Sequence, residues 1–306
     1  IGGKTALSVT VEVAAAMALA LLVRNLWADD ADRDSAADAI SRRAQVGELV
    51  LCGLWILWLG GVATVIGQSA ESFVPLMWLG GAVAARRGRS ISAGILIGAS
   101  AAMKAWGLLG LPLVLLDDDD RGAALAAAVA AGVALASYVP FFAFGSVGSF
   151  SYHWTVSKAS PLHFVFPAGS TFTWAGRVLQ GAVVLGGGSV LALFARRSRV
   201  AVWALPLALV TAKVLVDPVY YWYYWVPAQT LALVGIVTLA LFRRSTRDYV
   251  VAGGLYLTLF LSTDHGPLLG VASLLVVVAA IAVTRGTTTN MSSRFPKEVV
   301  SAARAS

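Results

Sequence analysis

Uninterrupted apolar runs constrain this chain most, because a helix of roughly 17–25 apolar residues crosses about 30 Å of hydrocarbon. Residues 266–283 are such a run, and 200–216 is another but for the single charge of Lys213. A membrane β-barrel is written instead in segments of about ten alternating residues, and 123–136 (AALAAAVAAGVALA) does not alternate. Composition agrees: 58% hydrophobic and 13% charged, against about 25% charged in soluble domains, excludes an ordinary soluble enzyme. The single cysteine, Cys52, lies in an apolar stretch, so disulfide frameworks and cysteine metal sites are excluded. The net charge of +7 reads as membrane topology rather than nucleic-acid affinity. The fold class expected is all-α, a polytopic transmembrane bundle of about ten to eleven segments. Residues 1–284 form its helical domain and 285–306 a basic cytoplasmic tail expected to be disordered. The chain starts at Ile1 with no signal-peptide architecture, which predicts a further N-terminal part.

The apolar segments fall at 5–27, 46–66, 72–85, 90–116, 122–144, 176–195, 200–216, 219–242, 249–262 and 267–284. Short basic loops punctuate them: Arg86, Arg87 and Arg89; Arg196, Arg197 and Arg199; Arg243, Arg244 and Arg247; and the tail with Arg285, Arg294, Lys297 and Arg304. The positive-inside rule makes all four cytoplasmic. Parity then conflicts, because an odd number of segments separates the Arg86 loop from the Arg196 loop. The conflict resolves if 90–116 is two short helices, 91–103 and 105–116, turning at Lys104. A lysine at mid-bilayer costs about 2.5–3.5 kcal/mol, so a turn there is favoured. Short helices ending within the membrane are tolerated where they are buried in protein or line a polar cavity.

This sidedness gathers the unusual chemistry at the outer face: Gln68 and Glu71; Lys104 and Trp106; Tyr152, His153, Trp154, Lys158 and His163; Asp217 with Tyr220, Tyr221, Tyr223 and Tyr224; Asp264 and His265. In 213–227, KVLVDPVYYWYYWVP, helical spacing aligns Lys213, Asp217 and Tyr224. Two readings stand for the aromatics, an interfacial belt or a site. Asp217 beside four tyrosines suits hydroxyl recognition. Lys104 is either a snorkelling lysine or, on a turn inside the bundle, a fixed cation for a phosphate group. Glu71 is either an acid favoured by a helix N-terminus or part of the site. The histidines lack metal-ligand spacing, so no metal is expected. The aromatic loop 145–175, long for a connection, either covers a cavity that admits a lipid-linked molecule or is a plain amphipathic surface.

Two stretches resemble the polytopic GT-C glycosyltransferases of glycosyltransferase family 87. In 67–116 the matching elements are Gly67 and Gln68, the Arg86 to Arg89 loop, Gly94 and Gly98, Lys104 with Trp106, and the Leu/Pro-rich 111–116. Later, Asp217-Pro218 followed by Tyr223-Tyr224 and Pro227 is similar to an Asp-Pro…Tyr-Tyr…Pro pattern.

The resemblance implies a multi-pass enzyme of a bacterial plasma membrane that transfers mannose or another hexose from a polyprenyl-phosphate donor to a lipid or glycan acceptor at the extracytoplasmic face. No cofactor is implied beyond the lipid-linked donor. It implies an aspartate base in the first outer loop. No outer aspartate precedes Asp217 here, so the matching loop is expected either upstream of Ile1 or absent, with Glu71 and Asp217 as candidate bases within the chain if no upstream aspartate exists. Many relatives carry His where Gln68 stands and Gln where Ala105 stands. The implied roles are phosphate binding for Lys104 and Arg177, orientation of hydroxyls for Asp217, Tyr223 and Tyr224, and sugar stacking for Trp106; Gln68, Glu71 and His265 complete the expected substrate site. Two other classes compete: a transporter or flippase of a lipid-linked or small polar substrate, and a non-catalytic degenerate transferase. A transporter should line a path through the membrane with charge, and beyond Glu12 and Lys104 the spans are almost free of it.

Overall fold

The structure, a computed structural model, describes residues 2–31, 37–60, 68–145, 153–198, 200–240, 246–261, 272–273 and 275–278. Gly67, His265, the tail 285–306 and most of the last expected segment lie outside them. Nine α-helices follow one another among the described residues: α1 Gly2–Ala31, α2 Ala37–Leu54, α3 Ala70–Arg86, α4 Ser90–Met103, α5 Asp120–Phe144, α6 Trp174–Ser198, α7 Ala204–Leu215, α8 Val226–Thr238 and α9 Thr246–Leu255. A 3-10 helix, Ala105–Leu116, joins α4 to α5, and a two-stranded hairpin, β1 Trp154–Thr155 with β2 Thr171–Phe172, lies between α5 and α6. Helices therefore dominate, as expected of runs whose backbone groups must be satisfied internally.

Two described helices, α5 and α6, are long and apolar enough to cross a membrane unaided. Their outward residues, among them Leu125, Leu135 and Val139 on α5 and Val178, Val183 and Val190 on α6, are exposed. Four further apolar helices, Ala44–Leu59, Ser90–Met103, Ala105–Leu116 and Ala204–Leu215, are shorter. At 1.5 Å per residue such helices fall short of a full crossing. The described residues thus hold two full-length apolar helices packed with shorter ones, and they do not establish the expected count of ten to eleven spans.

Helix α3 is the centre, packed against α1, α4, α8 and the 3-10 helix. Its Trp78 is fully buried. The indole Nε1 donates to Ser100 Oγ at 3.1 Å and to the Gly107 carbonyl at 3.0 Å. Those two bonds fix the place where 90–116 breaks, because Ser100 is in the last turn of α4 and Gly107 in the first of the 3-10 helix. Lys104 sits between them in extended conformation, its N–H bonded to the Ser100 carbonyl and its own carbonyl accepting from Gly107 N. The turn expected at Lys104 is therefore present.

At the other end of the bundle the two basic loops whose sidedness had to match come together. Arg86 Nη2 donates to the carbonyls of Ala195 (2.9 Å) and Val200 (3.0 Å) at the C-terminal end of α6, where a helix leaves carbonyls unsatisfied. Arg196 pairs with Asp120 at 2.6 Å. Asp117 accepts from Ser90 Oγ at 2.9 Å, and Asp119 caps α5 through Arg121 N and Gly122 N.

Helices α4 and α5 approach closely along Gly94 and Gly98. A Cβ on Gly94 would lie 2.5 Å from the Ala126 carbonyl oxygen, and one on Gly98 2.6 Å from Val133 Cβ. Small residues allow such contact between membrane helices. Gly98→Val is expected to destabilise the protein by about 1–3 kcal/mol through overpacking. Gly132→Ala, where no atom lies within 4 Å, is expected to leave the thermal midpoint in detergent unchanged or slightly raised.

Candidate functional site

The break at Lys104 turns a lysine toward the start of α3. Its Nζ forms an ion pair with Glu71 Oε1 and donates to Gln68 Oε1 at 3.3 Å. Glu71 is in the first turn of α3, yet it is completely buried, and its carboxylate answers Lys104 rather than solvent. The second oxygen, Oε2, has no hydrogen-bond partner.

A second group forms where α7 ends. Lys213 and Asp217 pair at i,i+4 across 3.2 Å, both about 5% exposed. Asp217 Oδ1 also accepts from Arg177 Nη1 on α6 (3.1 Å) and from Val219 N (3.1 Å). Both carboxylate oxygens of Asp217 are thus committed, to two cations and a backbone N–H. Arg177 donates in addition to Gln180, 2.9 Å away and three residues on along α6, and its guanidinium lies 4.4 Å from the centre of the Trp154 ring.

Aromatic rings join the two groups. Tyr224, on the 3-10 turn Trp222–Trp225, has the Lys213 ammonium 4.0 Å and the Lys104 ammonium 5.9 Å from its ring centre. Trp106 lies 5.2 Å from Lys213 and meets Trp78 edge-on. Tyr223 stands edge-on to Tyr224 at 5.0 Å and stacks on Tyr221. Cation–π contact of this kind holds an ammonium in place while leaving N–H donors for a ligand.

Three cations, Lys104, Lys213 and Arg177, therefore face two carboxylates, Glu71 and Asp217, in one largely buried cluster. Several polar atoms here lack partners: Glu71 Oε2, Ser72 Oγ, Trp106 Nε1 and Arg177 Nε. Buried polar groups are mostly satisfied in folded proteins, so these four atoms make the cluster a candidate site for a polar ligand.

Of the residues expected in the site, Gln68, Glu71, Lys104, Trp106, Arg177, Asp217, Tyr223 and Tyr224 are brought together, and His265 lies outside the described residues. His153 is exposed, and the His163 ring bonds to the Ser160 carbonyl. Among the described residues no three of His, Cys, Asp and Glu gather in a way that could hold a metal ion. Sequence reasoning missed Lys213 as a site residue by letting it neutralise Asp217 alone. It also missed Gln180, whose spacing from Arg177 was a usable signal, and it placed Trp154 among the outer-face residues without assigning it to the site.

The family model for glycosyltransferase family 87 matches residues 3–218, more than half of the chain and all of the cluster up to Asp217. No curated protein and no solved structure matches.

The depth of the cluster sets its energetics. Asp217→Asn leaves Lys213 and Arg177 without their counter-ion and is expected to cost about 3–5 kcal/mol of stability, the penalty of a broken buried pair. Breaking the more exposed Arg24–Glu48 pair with Glu48→Gln is expected to cost less than about 1 kcal/mol. Thermal unfolding of both variants in the same detergent checks the contrast.

Proposed function

The chain belongs to glycosyltransferase family 87 and is a membrane glycosyltransferase, and from that premise we propose that it moves a hexose, mannose foremost, from a polyprenyl-phosphate donor to a lipid or glycan acceptor at the extracytoplasmic face of the plasma membrane. The observation that carries this reading is the buried excess of one cation over carboxylates among Lys104, Lys213, Arg177, Glu71 and Asp217. A sugar phosphodiester carries a single negative charge, so seating it balances the cluster. Its leaving phosphate gains a second charge, and prepositioned cations stabilise that gain in the transition state. The unpartnered Trp106 Nε1 and Arg177 Nε are donors for such a ligand.

In this reading Lys104 leads the phosphate contacts and Arg177 seconds it. Gln68 steers the Lys104 ammonium, Trp106 stacks on the sugar, and Tyr223, Tyr224 and His265 orient hydroxyls. Asp217 acts through Lys213 and Arg177, because both its oxygens are occupied. Glu71 keeps an oxygen free, and it takes the acceptor hydroxyl proton as general base. The acceptor oxygen then bonds to the anomeric carbon from the face opposite the phosphate, the carbon–oxygen bond to phosphate breaks, and its electron pair leaves with the phosphate. The configuration inverts. Protonation neutralises Glu71 and frees Lys104 for the phosphate as the extra charge arrives. The cations do the work a metal would do, so the proposed reaction uses no metal or cofactor.

Transfer of labelled sugar from a polyprenyl-phosphate donor, in membranes expressing the full-length gene, tests the reading. Lys104→Ala is expected to lower kcat/KM about 100- to 1,000-fold, the loss typical of one prepositioned charge donor. Glu71→Gln is expected to lower kcat about 100-fold or more with little change in donor KM. Full activity in Lys104→Ala would remove this site assignment, and no transfer from any lipid-phosphate donor would overturn the reading in favour of a transporter or a degenerate transferase.

A further inference from the structure

The hairpin between α5 and α6 has two faces of opposite character. Its inner face is fastened to the site. Ser160 Oγ donates to the Asp217 carbonyl, Ser157 N donates to the Pro218 carbonyl at 2.8 Å, and Arg177 lies on the Trp154 ring. Val156, Ser160 and Phe172 are buried beneath it. Its outer tip runs the other way: Phe164 is 62% exposed, Val165 73% and Phe166 40%.

The exposure of that tip is built in. Ser160 caps the 3-10 turn Pro161–Phe164 by accepting from Leu162 N at 3.2 Å. Val165 N and Phe166 N both return to the Leu162 carbonyl, at 2.9 and 2.8 Å. The backbone is thus closed on itself, with Phe164 and Val165 exposed and Phe166 half-exposed with its ring edge-on to Phe172.

We propose that residues 164–166 form a membrane-contact surface seated in the lipid interface at the end of the bundle where the charged cluster lies. Three observations commit the surface to lipid. The hairpin connects the C-terminal end of α5 to the N-terminal end of α6, and those ends expose Phe141, Phe142 and Phe144 on one side and Val178 and Leu179 on the other. The tip thus lies on the segment that joins these two apolar ends, those of the two helices long enough to cross a bilayer. Residues 159–176 contain no Asp, Glu, Lys or Arg, whereas an interface with a soluble protein ordinarily carries a polar rim. Lys158, exposed on the same hairpin, places a cation at headgroup level beside an apolar wedge, the arrangement of interfacial anchors. Because Ser157 and Ser160 bind the backbone of Pro218 and Asp217, the depth at which the wedge seats fixes the roof of the site relative to the lipid surface.

The proposal rests on the chain lying in a bilayer, and not on the sugar chemistry. Cys52 is the single native cysteine, so a Cys52→Ser background carries one label at a time. An environment-sensitive fluorophore on Val165→Cys, in bilayer nanodiscs of the full chain, is expected to shift to the blue relative to the same label on Lys158→Cys. It is also expected to be quenched by nitroxide-bearing lipids and spared by aqueous iodide, with the reverse at Lys158. Phe164→Cys repeats the measurement should Val165→Cys fail to fold. Equal iodide quenching at the tip and at Lys158, with no lipid quenching at the tip, would overturn the proposal. The readout needs no substrate, so tip insertion in a protein that transfers no sugar would leave this inference standing while the transferase reading falls.

Discussion

The energetic cost of a cation in an apolar environment organises this fold. Lys104 interrupts a stretch from 90 to 116 that is otherwise without charge from Ser90 onward, and a continuous helix would carry its ammonium into the hydrocarbon. The chain instead breaks there, and the break is held by fully buried polar contacts, the Trp78 indole with Ser100 and Gly107. Once broken, the segment can return to the side it came from, which lets the Arg86 loop meet the end of α6. It also aims Lys104 at Gln68 and Glu71. The topology and the site are two results of one local constraint.

The two carboxylates of the cluster differ in what their surroundings leave them. Asp217 holds two cations and a backbone N–H, and each of its oxygens is engaged in an ion pair. Glu71 holds one cation and has an unpartnered oxygen. Their sequence contexts suggest the opposite emphasis, since Asp217 stands in a run of tyrosines while Glu71 resembles an ordinary helix-start acid. Both are buried, so partner count alone distinguishes the proposed positioning group from the proposed base.

Much of the architecture is legible in the sequence because membrane segments must satisfy their backbones locally. The helix positions, the turn at Lys104 and the small-residue seam at Gly94 and Gly98 follow from apolar runs, charge cost and spacing. Apolarity alone does not separate a full crossing from a shorter buried helix, which is why the expected number of spans exceeds the two long apolar helices among the described residues. In the site, residues near one another in sequence were readable, and Lys213 with Asp217 is an example. The partnership of Arg177 with Asp217 spans forty positions, and Trp154 reaches Arg177 from a loop with no periodic signal. Such contacts are set by how α6 packs beside α7, information that no local pattern carries.

Helix α6 is secured at both ends, by Arg177 to Asp217 at one and by the Arg86 grip on its terminal carbonyls at the other. In mechanical terms it is a beam with two fixed supports, able to bow but not to slide or tilt without releasing one of them. The donor proposed above would meet a strut held at both ends on this side. The hairpin beside it is joined to the residues after α7 by two hydrogen bonds to main-chain oxygens and to α6 through the Arg177–Trp154 contact. Its seating is therefore tied to the same arginine that anchors the strut.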